Sequence, residues 1–541
     1  MGLYLNPSAN GFRRVLSAGL YVDKSELIAY TNVVMNSARC LTCFSRPRRF
    51  GKSFAAQMLV AYYTRGDDSR DIFEKLKIST SSAEFLKQRW LSAQPFDRYL
   101  NNCDVIFWDM VDFATKSHSI AHAVKKLCQA TIYELRQNFP QECSGVEDSI
   151  AELLQQIYLK TGRKFFIVID EWDALFREAP ENKTLQENYL QLLRSLFKSA
   201  TSTSSFLSGA YMTGILPIKR YGTQSALTEF QEFTMLNPSL LAQFVGFTEA
   251  EVKSLCQTLG ADFEEMQRWY DGYKFDNIGH VYSPNSVIMS LLNHRFASYW
   301  TQTASYESLQ LYIEMNFDGL REAILQLLGG HSCRIAPESF ENDMAKVNSR
   351  DQVLTLLAHL GYLAFDADHY EVSIPNEEIR REFVCAIGNG SRPELVKAVL
   401  HSDELLAATI DGDEETVARL IGESHLAQTQ PLNYHSEEAL RSVVITAYLS
   451  ALDHYLRFEE LSGGRGYIDL LFVPNINSKK PALVIELKRD SSPESALDQI
   501  KEKQYQQVLK RFHYQGQIRL VGISYNSKNN RHSCRIETSA I

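Results

Sequence analysis

Apolar runs of strand length alternate with helix-period segments through the first 235 residues. Residues 40–44, 105–109, 164–171 and 206–214 read as buried strands, and residues 54–63 as a helix. Such alternation predicts an α/β domain over 1–235. From Pro238 to about 430 the helical period dominates. Thr248 and Glu251 there form a capping-box signature, and Trp269-Tyr-Asp-Gly-Tyr-Lys-Phe275 reads as an aromatic turn. Residues 405–421 predict a helix pair, and residues 423–434 a linker. In 431–541 the pattern is a helix beginning near Glu438, apolar strands over 467–473 and 482–488, and a further helix over 496–505. The predicted fold class is α/β throughout. A nucleotide-binding α/β domain (1–235) is followed by a helical lid or winged-helix-like region (236–430) and a second α/β domain (431–541).

The last two apolar strands carry charges. Asp469 interrupts one run, and Glu486 and Lys488 interrupt the next. Alternation along a strand puts Glu486 and Lys488 on one face. Two carboxylates converging in an apolar setting repel unless a cation separates them. A divalent ion held by Asp469 and Glu486, with Lys488 beside it to orient or activate water, suits phosphodiester hydrolysis. Charges two apart also occur on any solvated strand, so it is the apolar surroundings that give this spacing its weight.

A second constellation lies near the other end. The strand at 40–44 leads into Ser45-Arg-Pro-Arg-Arg-Phe-Gly-Lys-Ser53 and then a helix, which is the setting of a phosphate-binding loop. In that reading Gly51 and the helix N-terminus cradle phosphate, Lys52 reaches the β and γ phosphates of ATP, and Ser53 binds Mg²⁺. Arg46 stands where the general motif has glycine. The strand at 164–171 ends in Asp170, for the Mg²⁺ shell, and Glu171, to orient the attacking water. Thr213, ending a further strand, suits a γ-phosphate sensor, and Lys219 and Arg220 are weaker candidates for the same task.

These motifs resemble two families. Tyr21-Val-Asp-Lys-Ser25, Arg46-Pro-Arg-Arg-Phe-Gly-Lys-Ser53, Ile169-Asp-Glu-Trp-Asp173 and residues 269–275 resemble the AAA-ATPase-like family, whose members often end in a PD-(D/E)XK domain. The resemblance makes Arg46 the expected residue of the loop and gives Arg48 and Arg49 a part in neutralising phosphate. The family usually has Tyr where Trp172 stands. Asp469, Glu486 and Lys488 resemble the PD-(D/E)XK nuclease pattern. That resemblance implies a catalytic acid on the preceding helix, which Glu438 fits, and brings Gln499 and Lys503 towards the site. Tyr467 replaces the second arginine of the usual Gly-Arg-Gly-Arg.

Composition narrows the setting. The chain has 541 residues, 45% apolar and 22% charged, with a net charge of −9. That size requires several cores. No apolar run reaches membrane-spanning length and no secretory leader is recognisable, so a cytoplasmic protein without membrane contact is expected. The nine scattered cysteines suit reduced thiols. The negative charge argues against a protein that coats nucleic acid, but from Lys479 onward twelve Lys and Arg face six Asp and Glu. DNA or RNA is thus the expected partner of the last domain, with ATP and Mg²⁺ or Mn²⁺ as cofactors. Homo-oligomerisation is left open. Two readings compete with that of an ATP-dependent nuclease: a signalling or scaffold ATPase whose last domain binds nucleic acid without cutting it, and a nuclease with a dead ATPase domain used for assembly.

Overall fold

The computed structural model describes residues 2–540 apart from 90, 117–119, 199–203, 219, 222–223, 226, 276–277, 301–305, 316, 342–346, 389–392, 429–436, 464–465 and 476–477. Its chain forms two compact units, one of residues 1–303 and 334–379, the other of 304–333 and 380–541.

In the first unit, β1 (Leu41–Ser45), β2 (Asp104–Asp109), β3 (Phe165–Asp170), β4 (Leu207–Gly214) and β5 (Gln231–Phe233) form a sheet ordered β2-β3-β4-β1-β5. Every neighbouring pair is parallel. Strands β1, β3 and β4 are buried along their whole length, as both faces of a parallel sheet must be. Ile167, Ile169 and Met212 face helices α2 (Ala123–Asn138), α3 (Ile150–Thr161) and α4 (Lys183–Phe197). On the other face Phe166 meets Tyr63 of the helix that follows β1, their rings 4.4 Å apart. The parallel arrangement brings the C-terminal ends of β1, β3 and β4 to one edge, where open α/β sheets place their ligands.

Helices Glu249–Leu259, Phe263–Tyr270 and Pro284–Asn293 of this unit pack around Val252, Met266, Trp269 and Tyr270. Thr248 and Glu251 form the capping box. The aromatic turn is a short strand pair rather than a free loop: Tyr273–Phe275 runs antiparallel to Gly279–Tyr282. Gly272 adopts φ 117°, and a Cβ there would lie 2.0 Å from the Pro375 carbonyl oxygen, so only glycine fits.

The second unit is built on β6 (Tyr455–Gly463), β7 (Gly466–Pro474), β8 (Ala482–Arg489), β9 (Ile518–Asn526) and β10 (Arg531–Ser539), in that spatial order. The β8–β9 pair is parallel and the other pairs are antiparallel. Helices α5 (Pro393–Asp411), α6 (Glu414–Gln428) and α7 (Glu437–Ala447) cover one face, burying Leu470, Phe472, Leu483 and Ile485. Helix α8 (Pro493–Lys503) covers the other, over Leu471, Val473 and Val484. The stretch expected as a linker begins inside α6, which continues to Gln428, and its remainder lies outside the described residues. Among the described residues no helix is long and apolar enough to cross a membrane, and none of the nine cysteines is in a disulfide.

Candidate functional site

Two centres emerge, one in each unit. In the first, the loop between β1 and the following helix, α1 of the site (Lys52–Tyr63), turns at Gly51, whose φ of 88° a side chain would strain. Phe50 is fully buried in this loop against Tyr273 and Trp300, with centroids 5.6 and 6.5 Å away. On its other side Pro47 lies so close to Gly361 that a Cβ there would sit 2.5 Å from the proline ring. The aromatic motif thus braces the loop. Arg48 is half-buried and Arg49 exposed, the latter with left-handed backbone.

Arg46 does not face solvent. It is fully buried, donates to the Ser45 and Phe233 carbonyls at 2.9 Å, and lies 5.5 Å from the Phe275 ring centre. Burial lowers its pKa to about 9, and its Nε and Nη2 have no hydrogen-bond partner. It therefore ties the C-terminal ends of β1 and β5 together.

Lys52 is 3% exposed. Its Nζ donates to the Pro47 carbonyl at 2.9 Å and lies 3.2 Å from Glu171 Oε1. Asp170, at the end of β3, accepts a hydrogen bond from the Thr213 hydroxyl across the adjacent strand. Burial pushes Asp170 up to about 6, against the hydrogen bonds it takes from Thr213 and Ser53. The structure thus gathers Lys52, Ser53, Asp170, Glu171 and Thr213 at one sheet edge. Lys219 lies outside the described residues, as does the side chain of Arg220.

Glu171 has a left-handed backbone, φ 51°, which a non-glycine residue adopts only at a cost. Burial opposes its ionisation, but the Lys52 and Arg177 charges hold its carboxyl below the ordinary range. Arg177 binds Glu171 Oε2 at 2.6 Å and Asp173 Oδ2 at 3.2 Å. The sequence gives no sign of this arginine: it stands one helical turn beyond the acids and belongs to no motif.

In the second unit the β7–β8 ladder is registered over Leu470–Phe472 against Leu483–Ile485. At the next position Asp469 Oδ2 accepts the Leu487 backbone N–H at 2.8 Å. Lys488 Nζ lies 3.2 Å from Glu486 Oε1, which also accepts from the Gln499 amide of α8. Gln499 is 3.3 Å from the Tyr505 hydroxyl. Glu486 is almost fully buried, and burial with the neighbouring Asp469 charge pushes it up to about 7. Its Oε2 has no hydrogen-bond partner. Glu438 stands in the first turn of α7, but its side chain lies outside the described residues. Arg441, one turn later, places Nη1 2.5 Å from Glu460 and Nη2 3.7 Å from Asp469. Of the basic residues near the tail, Lys501 is paired with Glu537 and Arg489 with Asp490, and Arg511 donates to the Ser462 carbonyl.

The chemistry of both donor sets fits a hard divalent cation. Glu486 offers a buried carboxylate oxygen without a partner beside Asp469, and Asp170 is joined to a serine hydroxyl. Among the described residues no three His, Cys, Asp or Glu converge as a metal cluster. An ion at either centre would draw its remaining oxygens from substrate or water, as Mg²⁺ commonly does.

A parallel sheet with a phosphate-type loop, followed along the chain by a helix-covered mixed sheet bearing two acids and a lysine, defines an NTPase-like domain joined to a nuclease-like one. Comparison with protein families gives the same pair. Residues 10–223 match the model of the AAA-ATPase-like family, described as predicted AAA-ATPases, and residues 436–534 match that of the PD-(D/E)XK nuclease superfamily. The chain carries one domain of each, in that order. No curated protein matches it. Among solved structures it is similar to the ORC2 protein of Aeropyrum pernix, solved as ADPNP–ADP complexes, at 10% identity over 70% of this chain and 92% of that one. The TM-score of 0.20 gives that likeness no weight.

Proposed function

We propose that this protein hydrolyses ATP at the first centre and cuts nucleic acid at the second, with nucleotide state gating the cut. The observation that carries the nuclease part is the partnerless Oε2 of Glu486, buried beside Asp469 and Lys488. A buried carboxylate oxygen of this kind is costly unless a ligand completes it. A bound Mg²⁺ or Mn²⁺ would polarise the scissile phosphate and lower the pKa of water. Asp469 and Glu486 would hold it, Lys488 would orient the attacking water, and Gln499 would fix Glu486. Glu438 is assigned as an additional acid from α7. DNA or RNA would be the substrate.

In the ATPase part, Gly51, Lys52, Ser53, Arg48 and Arg49 bind the triphosphate, Asp170 and Ser53 serve the cation, and Thr213 senses the γ-phosphate. Glu171 orients the water that attacks the γ-phosphorus, and the water's proton passes to the phosphate that is released. The bond to the β,γ-bridging oxygen breaks, and ADP leaves with the electron pair. We assign the nucleotide chemistry to residues 1–235, a lid to 236–303 and 334–379 out of the expected 236–430, and the cutting to 431–541 in the unit that also holds 304–333 and 380–430. The packing of 236–303 and 334–379 in the same compact unit as the nucleotide sheet supports a lid role.

The engagement of Asp469 by Arg441 favours a second reading, in which the last domain binds nucleic acid without cutting it. Incubating plasmid DNA and single-stranded RNA with wild type and with Lys488→Ala, with Mg²⁺ or Mn²⁺ and with or without ATP, separates the two. Cleavage by wild type that Lys488→Ala abolishes supports the nuclease. Intact substrates under every condition, together with retained binding, select the second reading.

A further inference from the structure

Glu171 is held by two cations on opposite oxygens, and only one of them belongs to the phosphate loop. Oε1 faces Lys52 at 3.2 Å and Oε2 meets Arg177 at 2.6 Å. Arg177 is itself anchored. Its Nε donates to Asp173 Oδ2, the oxygen that also accepts the Ile215 and Leu216 backbone N–H groups at 3.1 and 2.9 Å. Asp173 is buried and the Arg177 side chain 8% exposed. The segment after β4, which carries Thr213, is therefore linked through Asp173 and Arg177 to the carboxylate of Glu171.

A triphosphate in the loop competes for Lys52, because a lysine in this position serves the β and γ phosphates. Losing that contact frees Oε1 and leaves Oε2 on a guanidinium whose planar, multi-donor geometry fixes direction as well as charge. We infer that Arg177 is a positioning residue for ATP hydrolysis: it holds Glu171 Oε2 so that Oε1, released by Lys52, faces the attacking water. The left-handed backbone at Glu171 accords with this, since strain of that kind persists where the surroundings fix a functional geometry. The inference rests on the reading of this centre as an ATPase.

The test is a double-mutant cycle on the full-length chain with Mg-ATP, using Glu171→Gln, Arg177→Gln and the double variant. Arg177→Lys serves as the conservative control. Turnover is measured together with the Kd for a fluorescent ATP analogue and the melting temperature. A misaimed water-orienting carboxylate costs on the order of 10- to 100-fold. Arg177→Gln should lower kcat by about that factor with analogue Kd within about threefold of wild type, and Arg177→Lys should recover part of it. The double variant should turn over no more slowly than Glu171→Gln, because Arg177 acts only through Glu171. Wild-type kcat in Arg177→Gln, losses that multiply in the double variant, or a defect confined to nucleotide affinity would each overturn the inference. If Arg177→Gln does not fold, Arg177→Lys carries the same comparisons. Wild-type turnover in Glu171→Gln would instead overturn the assignment of Glu171, and this inference with it.

Discussion

The carboxylate of Asp469 accepts the backbone N–H of Leu487, the residue between Glu486 and Lys488. A side chain thus continues the β7–β8 pairing one step past Leu470 and Ile485, where the registered ladder stops. The bond fixes the separation of the two acids, and burial, together with the Asp469 charge so close, raises Glu486 to about 7.

That shift sets a pH dependence. A carboxyl whose folded pKa lies above its unfolded value of 4.5 contributes stability that is fully present below 4.5 and is lost as pH rises through about 7. In EDTA, Glu486→Gln should therefore melt above wild type at pH 8, by about 2–4 °C, and together with it near pH 4.5. Mn²⁺ should raise the melting temperature of wild type at pH 8 but not that of Glu486→Gln. For wild type the gain should shrink below pH 7, as Glu486 takes up a proton. Melting curves across pH, with and without metal, check both signs.

Lys52 and Glu171 should separate binding from turnover. Lys52→Ala removes the buried ammonium of the loop and should weaken ATP-analogue binding by at least about tenfold. Glu171→Gln keeps the shape and should retain bound ATP while slowing hydrolysis by about 100-fold or more. Asp173 is a poor substitute for Glu171, because Arg177 and two backbone N–H groups already engage it. Filter-retained nucleotide and phosphate release in single-turnover reactions measure the two effects.

Much of this arrangement is legible in the chain because it lies in strands. Apolar runs at 164–171, 467–473 and 482–488 fix which residues end or interrupt a buried strand, and period-two alternation puts Glu486 and Lys488 on one side. Arg177 and Arg441 were not legible. Each reaches an acid on a different element, a pairing that only tertiary packing creates. Arg46 reads as a loop arginine, yet its side chain turns inward between two strand ends. The division of 304–333 and 334–379 between the two units likewise leaves no mark in periodicity.

The aromatic turn should matter to the phosphate loop without touching nucleotide chemistry directly. Phe50 fills space against Tyr273 and Trp300, so Phe50→Ala should cost about 3–5 kcal/mol of stability. Gly272→Ala forces a Cβ into the Pro375 carbonyl at φ 117° and should cost a similar amount. Both variants should also weaken ATP-analogue binding, and saturating nucleotide should restore part of the lost melting temperature. Calorimetry with and without nucleotide tests the pair.

Arg441 offers a prediction of opposite sign to ordinary site mutations. Its guanidinium lies between Glu460 and Asp469, the latter 3.7 Å away, and a divalent ion near Asp469 would feel its positive charge. Arg441→Ala should therefore bind Mn²⁺ more tightly than wild type, by at least about threefold at low salt, with a smaller gain at high salt. The same change removes a cation from the path of a phosphate backbone, so affinity for nucleic acid should fall. Isothermal titration with Mn²⁺ and fluorescence anisotropy with a labelled oligonucleotide check the two directions. A variant that binds metal more weakly would mean that Arg441 instead holds Asp469 in the orientation the ion requires.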